Sequence, residues 1–468
     1  MNEDTNMTAE VNDIEGNGLE ITSDIVLETE TFDNFTGDGI AVIESGIDAD
    51  LFEVEAVENG DDGFEIRGSV SDASVSIEKS SFNNNGDDGL DVFGDNNQVD
   101  LFRVEAAFNE EAGGLGVDGA NNNFNINLSE FESNLDGLVI PRTGLGNTFN
   151  ITDSAFFDNN DDGIDVFGNQ NVFNFDSASS TGNAEDGVEV DGSENTITGI
   201  NSLFADNGGD GFGDDITATN NTFTLNSSSF RGNSDDGFDI EGSHGVIVLK
   251  NVSSDDNAEE GFEIDGYGNY VAIQDRSIFG GNGEDGFDVD FRGVYNTIEV
   301  SDSGFRNNGD DGFDVFGRNN TVTWNEVESF DNTEQGFEID GDANEISIHD
   351  SFLISNGSSG LSFDITGADN TLTVGSSDFL MNAEDGLEIL GDSNTVSLTD
   401  ANIADNGEWG LDIAGDGNTI SVGSSEFSNN ASGAIVINGN DNILTIGDSN
   451  LSADDIVDNG SNNTVEFV

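Results

Sequence analysis

The stretch Asn308-Gly309-Asp310-Asp311-Gly312-Phe313-Asp314-Val315-Phe316-Gly317, followed by Asn320-Thr321-Val322-Thr323-Trp324-Asn325, decides how this chain folds. Apolar residues stand at alternate positions, Phe313 and Val315, then Val322 and Trp324, a period of two that belongs to extended strands and not to helices. Each run is short and ends at Gly, Asn or Asp, the residues that accept the backbone angles of tight turns. The pattern predicts three short strands here, Phe313 to Phe316, Thr321 to Asn325 and Ser329 to Phe330.

Outward from this stretch the same motif recurs, as at Asp87 to Val92, Asp161 to Val166 and Asp235 to Ile240. Its glycine runs from Gly39, Gly63 and Gly89 through to Gly386, Gly410 and Gly433, with a weaker copy at Gly18. The spacing stays at about 23 to 26 residues, a repeat length shared by leucine-rich repeats and β-solenoids, and the absence of any helical period selects the solenoid. Asparagine sits four before the motif glycine in most copies, among them Asn59, Asn85, Asn159, Asn308, Asn332 and Asn429. Stacked side-chain amides at one turn can hydrogen-bond along the stack. A second asparagine, Asn97, Asn171, Asn320 or Asn344, follows the glycine by eight residues, and by ten at Asn147, Asn221, Asn296 and Asn370. That turn therefore absorbs the insertions.

These repeats resemble the right-handed parallel β-helix superfamily, which includes pectate lyases, polysaccharide epimerases, phage tailspikes and bacterial surface proteins. The resemblance implies an all-β, single-stranded parallel β-helix of about 17 to 18 coils, with residues 31–450 as the solenoid, residues 1–30 as a cap or irregular segment and residues 451–468 as a final coil. It says little about function.

Ten Lys and Arg stand against 97 Asp and Glu, a formal net charge of -87. Nucleic acid and anionic membrane are repelled at long range, so cations or neutral surfaces are the expected partners. No apolar run is long enough to span a bilayer, and Met1 to Asp4 does not open a secretory signal; with no cysteine and few lysines, the composition points to an extracellular or cell-surface protein. Alternation directs the acid after each motif glycine outward: Asp91, Asp165, Asp239, Glu263, Asp288 and Asp314. The preceding pairs add two files: Asp87 with Asp88, Asp161 with Asp162, Asp235 with Asp236, Asp310 with Asp311, and Asp285. Neighbouring coils lie about 4.8 Å apart, where two unit charges in water repel by roughly 0.9 kcal/mol, and dozens of such pairs exceed ordinary folding stability. Oxygen-only donors in this arrangement predict several bound Ca²⁺ ions. Protonated carboxylates or high ambient salt is the plainer alternative.

The scarce residues cluster between Arg231 and His349. His244, Tyr267, Arg292 and Arg318 fall at nearly one register on four consecutive coils, a candidate saccharide groove, with Tyr270, Tyr295 and Trp324 as further ligand-binding candidates. The plainer reading is a variable turn of long, solvent-facing side chains. Three functions stay open: a calcium-stabilised structural or adhesive surface protein, self-associating head-to-tail or laterally into filaments; a polysaccharide lyase, epimerase or glycan binder; and a phage or viral fibre domain.

Overall fold

The computed structural model describes Gly16, residues 18–110 and residues 113–468, and they form an all-β parallel solenoid of about 19 turns. The chain divides into two compact units, residues 1–229 and 230–468. One coil of the first unit shows the plan: Leu90–Val92, Gln98–Phe102 and Glu105–Ala107 are its three strands. Each pairs in parallel with its counterpart one coil on, for example Gln98 to Asn123 and Phe102 to Asn127. The second unit repeats the plan, as in Thr395–Thr399 paired with Thr419–Gly423.

The turns outnumber the expected 17 to 18 because both ends are more regular than their sequences suggest. Leu19–Ile21 and Ile25–Glu28 already pair with Ile40–Val42 and with Asp48–Phe52, so the expected irregular segment 1–30 holds ordinary coil from Leu19 onward. Residues 1–15 and 17 lie outside the described residues. In the second unit, Ile456–Asp458 and Thr464–Phe467 pair with Gly433–Ile437 and Ile443–Ile446. The expected strand at residues 313–316 is not regular, although Asp314 N–H still donates to Phe287 O (2.8 Å) and Val315 N–H to Glu338 O (3.2 Å).

Alternate residues of the strands point inward, and in places like stacks on like. In the first unit Phe124, Phe149 and Phe173 have ring centroids 4.8 and 4.7 Å apart. In the second, Trp324 is fully buried, stacked on Phe305 (5.5 Å) and Phe337 (4.8 Å). Trp324 therefore packs the core and offers nothing to an outside ligand, which corrects its reading as a binding residue.

At one corner the asparagines form a ladder. Asn308 Nδ2 donates to Asn332 Oδ1 (3.0 Å), Asn332 Nδ2 to Asn356 Oδ1 (3.1 Å), and each Oδ1 also accepts its neighbour's backbone N–H. Asn109 and Asn134, off the expected spacing, join the same ladder in the first unit. Asn430, not Asn429, continues it after Asn406, because Asn429 takes a left-handed backbone (φ 58°) at the bend. The ladder explains the motif glycine. A Cβ on Gly63 would lie 2.7 Å from Asn85 Nδ2 and 2.6 Å from Gly89 O.

Candidate metal centre

The acids of the motif take up three distinct positions around this glycine. The residue just before it turns into the corner and is buried: Asp62, Asp88, Asp162, Asp236 and Asp311 are each nearly inaccessible. These carboxylates accept from the backbone of the next coil, Asp88 N–H donating to Asp62 Oδ1 (3.0 Å) and Gln335 N–H to Asp311 Oδ1 (2.6 Å). One oxygen of each is thus structural. The outer acids of the pairs, Asp87, Asp161, Asp235 and Asp310, are half-buried to exposed.

The acid two after the glycine faces away from the core, as alternation requires, but is not out in solvent. Asp91 and Asp165 are only 4% and 5% exposed, and Asp239, Glu263, Asp288 and Asp314 are half-buried, as is Asp285, which precedes its glycine. Alternation gives the side of the strand and not the depth at which the bend sets it. An Oδ1 of Asp91, Asp165, Asp288 and Asp314 is buried without a hydrogen-bond partner. Such an atom costs on the order of 1–3 kcal/mol, more when charged. Nature leaves few of them, and here they recur at one position of the repeat.

Burial drives the proton affinities up. Asp62 is pushed to about 9, first by burial and then by Asp88; Asp91 to about 10, by burial and then by Asp88 and Asp62; Asp165 to about 9 by burial and Asp136. Asp88 rises to about 8, Asp285 to about 8 and Glu263 to about 7, again chiefly by burial. Asp288, Asp311 and Asp314 lie well above the usual carboxylate range for the same reason. Without a counter-cation these sites keep their protons near neutrality.

One grouping with all three members buried is Asp62, Asp88 and Asp91, each offering an oxygen within 4.8 Å of the others. Gly116, in the next coil, borders it: a Cβ there would lie 2.5 Å from Asp88 Oδ2 and 3.3 Å from Asp91 Oδ1. Asp161 and Asp162 group with Glu185, and Asp162 again with Asp186 and Glu189. Where an arginine reaches the files it acts as a fixed cation. Arg67 lies 3.0 Å from Glu65, 3.6 Å from Asp38 and 3.9 Å from Glu20. The donor set, carboxylate oxygens only and one of them unpartnered, fits a hard divalent cation.

A family model described as "Right handed beta helix region" matches residues 14–178 and 289–451, well over half of the chain. The chain belongs to the right-handed β-helix family. No protein of curated function matches this β-helix. Among solved structures it is similar to the pectate lyase Pel9A at 15% identity, covering 58% of this chain and 70% of that one with a TM-score of 0.37. It is also similar to the periplasmic alginate epimerase AlgG at 11% identity (81% and 77% covered, TM-score 0.35) and to the receptor-binding tailspike of bacteriophage Det7 at 12% (75% and 72%, TM-score 0.34). Among the described residues of the β-helix, no helix is long and apolar enough to cross a membrane.

The candidate saccharide groove is rearranged. An insertion shifts the register, so that Tyr267 pairs with Val294 and Tyr295 N–H donates to Arg318 O (3.3 Å). His244 and Tyr295 both occupy the left-handed corner position (φ 60°), and the Tyr267 ring lies between theirs, at 5.1 and 5.6 Å. Arg292 leaves the row: it sits in the insertion and binds Asp265 (2.9 Å) and Glu241 (4.0 Å). Arg318 lines a separate recess with Phe291, Phe316, Asp340 and Asp342. Tyr270 is on the neighbouring strand face, its hydroxyl donating to Glu299 Oε2 (2.7 Å). The structure thus brings together His244, Tyr267 and Tyr295, sets Arg318 one coil on beside Tyr295 while it also lines the other recess, and places Arg292, Tyr270 and Trp324 elsewhere.

Proposed function

We propose that this β-helix is a calcium-binding structural protein of the extracellular or cell-surface space, whose acidic corner is completed by ions held between adjacent coils. The observation that carries the reading is Asp91, 4% exposed and with an unpartnered Oδ1, in a group in which it, Asp62 and Asp88 each offer a carboxylate oxygen within 4.8 Å of the others. Ca²⁺ binds oxygens at about 2.3–2.6 Å, so oxygens up to about 4.8 Å apart can share one ion, and it tolerates the irregular geometry that Mg²⁺ does not. A location outside the cell supplies the calcium that such sites need, and a scaffolding or adhesive role suits a surface made of near-identical coils. Calorimetric titration of chelator-stripped protein with CaCl₂ is expected to show several ions bound and a raised melting temperature. Asp91→Asn is expected to lose one of them. Absence of binding heat together with an unchanged melting temperature sinks the reading.

A second reading rests on the exposed ring row of His244, Tyr267 and Tyr295, since aromatic faces stack on sugar rings. It favours a glycan-binding surface over a lyase or epimerase, because Arg292, the cation best placed for a uronate, is already paired with Asp265 and Glu241. Incubation with alginate and pectate separates the options: unsaturated products indicate a lyase, binding heat alone a lectin-like surface, and the absence of both removes this reading.

A further inference from the structure

On the second strand of each coil the first and third residues face outward, and in the second unit pairing fixes their register. Thr321, Glu345, Thr371, Thr395, Thr419 and Ile443 form one file, and Thr323, Ser347, Thr373, Ser397, Ser421 and Thr445 the other. All but Glu345 and Ile443 carry a hydroxyl, and Glu345 is the one acid among them, in a chain of net charge -87. Exposed carboxylates return at both margins, Asp369 and Asp416 before the strands and Asp350 and Asp400 after them. Beneath the two files Leu372, Val374, Val396 and Leu398 are buried and hold the strands in place. Among the described residues, the hydroxyls of Thr371, Thr373, Thr395, Ser397, Thr419 and Ser421 bond to no other protein group, so they are free for an outside partner. In the first unit the third position holds Asn125, Asn150 and Asn174 instead, whose amides bond to one another (2.9 and 3.0 Å).

We propose that this hydroxyl face of the second unit adsorbs to ice. Its groups repeat in two directions, about 4.8 Å from coil to coil and about 6.6 Å from the first to the third residue of a strand. An occupant that meets all of them must repeat as well, which an ordinary protein surface does not. A second copy of the chain does repeat, but it would set the marginal acids of the two molecules against each other. An ionic mineral needs charges that the face lacks, and a crystalline polysaccharide is gripped by aromatic rings, of which the two files have none. What remains is an uncharged lattice of hydrogen-bonding molecules, and hexagonal ice sets its water oxygens at intervals close to both of these. Threonine suits that contact, because its hydroxyl both donates and accepts while its methyl fills the space between. Its β-branch also restricts the side-chain rotamer, so that little freedom is lost on adsorption.

Recrystallisation of fine-grained ice in the presence of the full chain with calcium, and partition of the protein into slowly grown ice, test this. Wild type is expected to keep the grains small and to enter the ice. Thr373→Glu places an acid where Glu299 stands in the same file, so the fold accepts it, and Ser397→Glu repeats the change one coil on. Each is expected to raise the concentration needed by roughly tenfold. Asn402→Glu adds the same charge on the third strand, beside Asp378, and is expected to change nothing. Wild-type protein that leaves grain growth as in buffer alone and is excluded from the ice overturns the proposal. So do glutamate variants of Thr373 and Ser397 as active as wild type, an Asn402→Glu variant that loses as much as they do, or adsorption to microcrystalline cellulose in place of ice.

Discussion

Raising the pH of the metal-free protein should unfold it, the reverse of ordinary acid denaturation. Asp62 and Asp165 are buried, and their carboxyl groups are held at about 9, whereas an unfolded aspartate titrates near its ordinary value of 3.8. A group whose folded-state value is raised stabilises the fold fully below about 3.8, and that stability drains away as pH rises towards about 9. Each pH unit across this window costs about 1.4 kcal/mol per group, so at pH 7 each of the two has cost roughly 4 kcal/mol. Together that is comparable to the whole stability of a typical domain. Urea unfolding in chelator at pH 5, 6, 7 and 8 is expected to give a stability that falls with pH. Added calcium, bound as proposed, is expected to displace the protons and flatten the profile. Asp165→Asn cannot ionise, so its slope should be shallower than wild type by about 1.4 kcal/mol per pH unit. An Asp165→Asn slope equal to wild type, or stability that rises with pH in chelator, refutes the reasoning.

Three further substitutions probe the framework by denaturant titration. Asn308→Ala removes an amide that donates to Asn332 Oδ1 (3.0 Å) and accepts from Asn282 Nδ2 (3.2 Å), and a loss of about 2–4 kcal/mol is expected from the partners left bare. Trp324→Ala empties a fully buried site between Phe305, Phe313 and Phe337, at a cost of about 3–5 kcal/mol. Gly312→Ala sets a Cβ 2.7 Å from both Asn332 Nδ2 and Gly336 O, and because the carbonyl belongs to the next coil's backbone the expected effect is at least about 2 kcal/mol, measured against a Gly423→Ala control, where the nearest atom to a Cβ, Leu398 O, is 4.0 Å away.

The fold was legible because its rules are local. Alternation at Phe313 and Val315 gives the strand, and the fixed offset between Asn308 and Gly312 marks the corner at which Asn308 and Asn332 bond. Trp324 was misread although its own alternation with Val322 placed it inward: its rarity was taken for exposure. The row of His244 and Tyr295 was hidden by the insertion at residues 290–293, which shifts register without changing any motif. The depth of Asp91 was not legible at all, since an acid on the outer side of a strand is buried or bare according to how the coil bends around it. Acidity alone could suggest cations, but only the orphaned Oδ1 singles out a place for one.

The asparagine ladder has a sense of direction. From Asn257 to Asn406 each Nδ2 donates to the Oδ1 of the asparagine one coil on, so the side-chain bonds of the file all run one way. Hydrolysis of one rung to aspartate leaves a group that can accept but not give, and sets two oxygens against each other. Asn282, Asn308, Asn356 and Asn406 each precede a glycine, the sequence in which an unfolded chain loses its side-chain amide most readily. Folding seals those rungs. Time spent unfolded would then be written into the molecule as broken links, legible by peptide mass analysis of protein refolded after different delays, and equal hydrolysis in folded and unfolded samples would show that the ladder gives no such protection.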